Sequence, residues 1–348
     1  MKALLLAGGL GTRLRPLTEQ LPKPMALVGN VPWLEHLILQ LRDQGIREFV
    51  LALKHYPELI RRHLGNGSKY GVSIEYVVEQ DALGTAGAIK NAEAHLGETF
   101  LVFNADIIQT MEIHPMLDYH YSRGAQVTIG LTEVDDPSAF GVVDCTDSGQ
   151  VRRFIEKPKR GEAVSNRINA GIYIMNKAAL RYIPEGREVS IERETFPLLI
   201  HQGIGVYGYT MKGYWMDMGT RERYRQVHRD LLDRKLDLRL PGTETEPGIR
   251  MGKGCHIGQA VRLIAPVLIG DHVRIEDHAV IGPYTILGEH CHIARGAQLA
   301  ETILWNRSSV KDNAKLNQCV CGYDSLIESR HILYEAFAQR MKEEAVVG

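Results

Sequence analysis

Nothing in this sequence limits its fold as tightly as the six-residue period that begins at Met251. Met251, Ile257, Leu263, Ile269, Ile275, Ile281, Leu287, Ile293, Leu299 and Trp305 follow one another at that spacing. Four residues after each stands a mostly small or β-branched partner: Cys255, Val261, Val267, Val273, Ala279, Thr285, Cys291, Ala297, Ile303 and Ser309. Hexapeptides of this kind build a three-sided left-handed β-helix, whose aliphatic residues point inward and stack on their counterparts one coil away. The register slips by one after Trp305, and Val310, Ala314, Leu316 and Val320 continue it. The repeat predicts about three or four coils. Cys255 and Cys291 fall on the small inward position and read as inert core residues. His256, His272, His278, His290 and His292 fall outside it, on a solvated face. Residues 332–344 read as a short amphipathic helix, with Leu333, Phe337 and Met341 along one stripe that docks on a domain or a subunit.

The amino terminus carries a different signal. The apolar run 3–7 breaks into Gly8-Gly9-Leu10-Gly11-Thr12-Arg13, as a buried strand feeding an anion-holding turn would. Glycines permit positive φ and a close approach of backbone N–H groups to an anion. Arg13, Arg15 and Lys23 add charge, which suits a polyphosphate better than a single carboxylate. The P-loop is excluded because no Gly-Lys-Ser/Thr occurs, and the dinucleotide fingerprint because Leu14 stands where its third glycine belongs. With Thr12-Arg13-Leu14 and Pro22-Lys23-Pro24 behind it, the stretch resembles the signature of the sugar-1-phosphate nucleotidyltransferases, Gly-Gly-x-Gly-Thr-Arg-Leu-x-Pro-Leu-Thr followed by Pro-Lys-Pro.

Between these two signals, strand-like runs alternate with helical patterns, which predicts a Rossmann-like, mixed but mostly parallel sheet with helices on both faces. Ligands then sit beyond the carboxyl ends of its strands. Run 99–104 ends in Ala105-Asp106, and Asp217 follows run 205–211, so two loop carboxylates stand ready for a hard cation. Gly141, Glu156-Lys157 and Asn169-Ala170-Gly171 offer acceptors, donors and a cation of the kind a hexose phosphate needs. Residues 240–248 contain two prolines and no periodicity. The expected organisation is therefore a catalytic domain over 1–236, a linker over 237–248 and a β-helix over 249–348.

A formal net charge of -1 over 348 residues gives no general attraction to nucleic acid or to an anionic membrane. No apolar run approaches a membrane span, and no leader-like segment opens the chain. The five cysteines form no Cys-x-x-Cys pair, and free thiols in a reducing cytoplasm account for them.

The resemblance covers essentially the whole chain and is strongest to the mannose-1-phosphate guanylyltransferase branch. It implies attack by a sugar 1-phosphate oxygen on the α-phosphorus of a nucleoside triphosphate, with pyrophosphate leaving and no covalent enzyme intermediate. By motif, Leu6, Ala7, Gly8, Gly9, Gly11, Thr12, Arg13 and Thr85 would border the nucleotide, Lys23 would steady the transferring group, and Gln80 and Gly84 would lie at the base. Asp106 and Asp217 would hold Mg2+; Asn104, Gly141, Glu156, Lys157, Asn169 and Gly171 would seat the sugar phosphate. Asn104-Ala105-Asp106 departs from the pattern of many relatives, which have Gly before the Asp. GTP and mannose 1-phosphate are the implied substrates. UTP or dTTP with glucose 1-phosphate, or a heptose or cyclitol phosphate, remain open, as does a non-catalytic sugar-nucleotide-binding subunit. Homo-oligomers joined through β-helix surfaces are the implied assembly. An acyltransferase use of the outer histidines would need a longer β-helix than the predicted coils provide.

Overall fold

The computed structural model describes residues 1–9, 11–159 and 161–338. These described residues form two compact units, one within 1–9 and 37–217, the other within 11–36 and 218–338.

The first unit is built on a nine-stranded sheet. Lys2–Leu6 is buried at Ala3, Leu4 and Leu5 and lies between Thr99–Asn104 and Glu48–Leu53, parallel to both; Ser73–Val78 extends that side. Such apolar runs suit strands covered on both faces. The other half turns antiparallel around Arg167–Asn176, which pairs with Thr99–Asn104, Val127–Glu133 and Gly141–Cys145. The sheet is therefore mixed: parallel pairing dominates the half around Lys2–Leu6, and in the other half Val206–Thr210 adds to Val127–Glu133 in parallel. Trp33–Asp43, Pro57–Leu64 and Gly84–Asn91 are the helices of the parallel half, and the pattern of Leu34, Leu37, Ile38 and Leu41 is fully buried as its spacing requires.

In the second unit, strands stack in three parallel ladders, the three sides of the β-helix. Its bore is lined by Ile269, Ile275, Ile281, Leu287, Ile293 and Leu299 with Val273, Ala279, Cys291 and Ala297. Each ladder holds at least five strands of the repeat, so the solenoid is longer than three or four coils, and an argument from coil number against a long groove does not stand. The register also differs from the expectation. Ile269 pairs with Leu287 at eighteen residues, but Leu287 pairs with Leu304 at seventeen, and later coils keep the shorter repeat. The slip therefore precedes Trp305. Leu304 takes the inward place, Thr302 and Ser308 are the buried small partners rather than Ile303 and Ser309, and Trp305 is fully buried outside the bore.

Two further expectations are corrected. Residues 332–338 form no helix: Ile332–Tyr334 and Phe337–Ala338 are strands that continue the ladders, with Leu333 on Leu316 and Ala338 on Cys321. The seventeen-residue coil explains this, since it carries the apolar spacing past Ile327 without interruption. The remainder of the 332–344 stretch, including Met341, lies outside the described residues. Within 240–248, Thr243–Glu246 forms a strand antiparallel to Ile249–Met251.

Candidate active site

Strand register decides which loops leave the first unit together. Leu6 pairs with Ala52 on one side and Asn104 on the other. The Ala7 N–H donates to Ala52 O (3.0 Å) and the Ala105 N–H to Leu6 O (3.1 Å), so order persists beyond the strand ends. A Cβ on Gly8 would stand 3.5 Å from Lys54 Cβ and 3.7 Å from Glu79 Oε1, whereas one on Gly9 would meet open space. Glu79 is buried, and that burial raises its carboxyl above the usual range despite the Leu83 N–H it accepts (3.2 Å) and the charge of Lys54. Gln80 is exposed beside it. Gly84 has φ +67, and a Cβ there would lie 2.6 Å from Val189 O, so close backbone packing requires glycine. The Thr85 hydroxyl donates to Glu192 Oε2 (3.0 Å) and accepts the Ile191 N–H (2.8 Å).

Asp106 and Asp217 come together on a small antiparallel ladder. Ile107–Gln109 pairs with Trp215–Asp217, and Asp217 faces Ile107, the neighbour of Asp106. Both aspartates are half-buried. Among the described residues no group of three or more His, Cys, Asp or Glu side chains gathers as a cation site. Two carboxylates are donors of the kind a hard divalent cation takes.

A second polar group forms around Tyr173. Asn169 Nδ2 donates to the Tyr173 hydroxyl (2.8 Å), and Asn169 Oδ1 accepts the Gly171 N–H (2.9 Å). Gly171 has φ +72, and a Cβ there would be 2.4 Å from Ile107 Cδ1 and 2.9 Å from Asn104 Nδ2. Asn104 Oδ1 is buried and has no hydrogen-bond partner among the described residues. An unpaired buried acceptor is costly, and a hydroxyl-bearing ligand would satisfy it. A Cβ on Gly141 would lie 2.4 Å from the Phe154 ring and 2.9 Å from Glu156 Oε2. Burial raises the Glu156 carboxyl, and Glu192 raises it further; the Lys157 ammonium, 3.6 Å away, opposes both. Tyr173 is fully buried between these groups, so its hydroxyl stays protonated.

The second unit holds the basic residues of the opening motif. Of Gly8, Gly9 and Gly11, only Gly11 has positive φ, at 62. Its carbonyl accepts from Thr18 Oγ1 (2.7 Å), and a Cβ would stand 2.7 Å from Lys23 Cβ, so the missing side chain lets Lys23 pack against the loop. Thr12–Leu14 is one 3-10 turn that leaves Thr12 and Arg13 exposed. Lys23 opens a second such turn and is only 4% exposed.

Residues 2–234 match the family model described as nucleotidyl transferase. The chain belongs to this family. A second model, the GMPPB C-terminal domain, matches residues 263–338. The mannose-1-phosphate guanylyltransferase of Mycobacterium tuberculosis is 38% identical over 285 residues, covering 76% of this chain and 79% of that protein. The probable mannose-1-phosphate guanylyltransferase 1 of Oryza sativa is 35% identical over 333 residues, 94% of this chain and 87% of that one. Among solved structures, HddC from Yersinia pseudotuberculosis complexed with GMP-PN matches with a TM-score of 0.57 at 28% identity, over 66% of this chain and 99% of that chain.

In this nucleotidyl transferase, three polar residues of the first unit escaped the sequence reading: Glu79, Tyr173 and Glu192. Tyr173 follows Asn169 and Gly171 at a period of two, which was a usable signal, although the strand's register shifts between 169 and 173. Glu79 directly precedes Gln80 and looks like any strand-end acid. Glu192 carries no local signal; only folding brings it to Thr85 and Ser190.

Proposed function

We propose that the chain joins GTP and mannose 1-phosphate to give GDP-mannose and pyrophosphate. The observation that carries this reading is the meeting of Asp106 and Asp217 on one ladder, in a chain related over nearly its full length to a mannose-1-phosphate guanylyltransferase. A phosphate oxygen of the sugar 1-phosphate bonds to the α-phosphorus, and the bond from that phosphorus to the bridging oxygen of pyrophosphate breaks. Positioning and charge neutralisation therefore carry the catalysis. Backbone N–H groups of Gly8, Gly9 and Gly11 with the Arg13 guanidinium hold the phosphates, and Lys23 steadies the transferring group. Leu6, Ala7, Thr12 and Thr85 border the nucleotide, with Gln80 and Gly84 at its base. Asp106 and Asp217 would hold Mg2+, which supplies positive charge at the triphosphate. Asn104, Gly141, Glu156, Lys157, Asn169 and Gly171 seat the sugar phosphate, and the unpaired Asn104 Oδ1 is a ready acceptor for a sugar hydroxyl.

No helix among the described residues is long and apolar enough to cross a membrane. Action in the cytoplasm and assembly through β-helix surfaces belong to the same proposal; localisation of the tagged chain and sedimentation test them.

The deciding experiment offers purified protein and Mg2+ a panel of triphosphates and sugar 1-phosphates, with pyrophosphate release as readout. Highest turnover is expected with GTP and mannose 1-phosphate. Preference for dTTP or UTP with glucose 1-phosphate overturns the substrate assignment, and no release with any pair overturns the catalytic reading. Lys23→Ala and Asp217→Ala should each lower turnover about a hundredfold, the scale of one lost transition-state charge contact.

A further inference from the structure

The register slip of the β-helix sends one large side chain out of the bore. Trp305, one residue past the inward Leu304, is fully buried on the side of the Arg221–Leu232 helix. There its Nε1–H donates to the Tyr224 hydroxyl (2.9 Å), and that hydroxyl donates to the carbonyl of Leu27 (2.5 Å). All three residues are buried, so each group has its partner where water cannot replace it. The relay ends just beyond Lys23. The Ala26 N–H donates to Lys23 O (3.0 Å), and Leu27 is the next residue.

A second tie reaches the same segment. Asn30 Nδ2 donates to Leu287 O of the β-helix (2.8 Å), and a Cβ on Gly29 would stand 2.5 Å from Leu240 and 2.8 Å from Leu231 side-chain carbons. His36 Nε2 donates to Val28 O (2.9 Å) and His228 Nδ1 to Tyr224 O (2.8 Å), so the helix and the segment are locked from within. Contacts accordingly place residues 11–36, with Arg13 and Lys23, in the unit that contains the β-helix.

We propose that Tyr224 and Trp305 are positioning residues for nucleotidyl transfer: through Leu27 they fix the segment that carries Lys23, so the β-helix takes part in the chemistry although it supplies no group to the substrates. This rests on the assignment of Lys23 to the transferring group. A hydroxyl that donates in one direction and accepts in the other has a single satisfied orientation. Losing it frees the backbone beside Lys23, and small displacements of an aligning group can cost up to about a hundredfold in rate.

The test is a double-mutant cycle on the full chain, with pyrophosphate release as readout. Tyr224→Phe should lower kcat about tenfold or more and leave KM for either substrate within about twofold. In a Lys23→Ala background the same substitution should have almost no further effect, because the group it positions is gone. A purely stabilising role would leave the two effects additive. Asn30→Ala, which removes the other tie, should behave as Tyr224→Phe does, and it serves where Tyr224→Phe does not fold. Near-normal turnover of Lys23→Ala overturns the Lys23 assignment and the relay with it. Impaired Lys23→Ala with unaffected or additive Tyr224→Phe and Asn30→Ala overturns the relay alone.

Discussion

The sheet of the first unit and the β-helix of the second are both made of short apolar strands, yet they place their polar groups in opposite ways. A solenoid repeats one environment every coil, so a polar residue on its surface finds a partner one coil away. Arg307 makes a two-pronged pair with Asp324 (2.7 and 2.8 Å), and Arg295 reaches Asp277 (3.1 Å). In the open sheet, strand ends deliver polar residues to shared places instead. Asn104, Asn169, Tyr173 and Glu156 gather with Glu192, Asp106 meets Asp217, and Asn104 Oδ1 is left without a partner among the described residues. Surface polar groups paired from coil to coil make the β-helix a frame, with Thr285 Oγ1 in its interior the unpaired exception to that pattern among the described residues; the sheet unit concentrates its polar groups at the strand ends instead. Under the relay proposed from Trp305, the frame acts on chemistry through the one residue that leaves the repeat.

That contrast can be broken at several points. The largest effect is expected in the bore, where Ile281→Ala should cost about 2–5 kcal/mol in a denaturant titration. Turnover per folded molecule should not change; a loss beyond the unfolded fraction would mean that the bore itself contributes to the reaction. Next comes the buried His228, whose imidazole is pushed down to about 4, first by burial and against the Tyr224 and Leu27 carbonyls. The folded protein keeps it neutral while the unfolded chain takes up a proton as pH falls through 6.5. Stability is therefore complete above that pH and should fall by up to about 3 kcal/mol on the way to pH 4. A His228→Asn variant should show a flatter urea-midpoint profile over this window; an equally steep one would assign the acid sensitivity to other groups.

A smaller effect belongs to Gly171→Ala in the polar cluster. A left-handed φ and the contacts with Ile107 and Asn104 should together cost about 1–3 kcal/mol by thermal melting. An unchanged melting temperature would mean that the Asn104 side chain moves aside freely. At the lower end, His256→Ala on an exposed β-helix strand should change stability by less than about 0.5 kcal/mol and leave turnover intact. A large loss of activity would make the outer histidines part of the chemistry and remove the contrast between frame and site.

Much of this was open to a reading of the chain alone, and the reason is local. Run 99–104 and the six-residue period announce burial through spacing, because a side chain's direction in an extended segment follows from its position in that segment. The six-residue period therefore identifies the β-helix, and the motif at 8–24 identifies the family. Spacing fails where a single residue is removed: the shortened coil moved Leu304 into the bore and Trp305 out of it, and the ladder continued through 332–338 where a helical stripe was equally compatible with Leu333 and Phe337. Partnerships across long sequence separations belong to the tertiary structure. The meeting of Asp217 with the Asp106 turn, the Asn169–Tyr173–Glu192 surroundings, and the grouping of residues 11–36 with the β-helix each depend on how strands and helices pack. Sequence spacing sets which way a side chain points; only packing decides what it meets, because a hydrogen bond needs its partner within about 3 Å and correctly aimed.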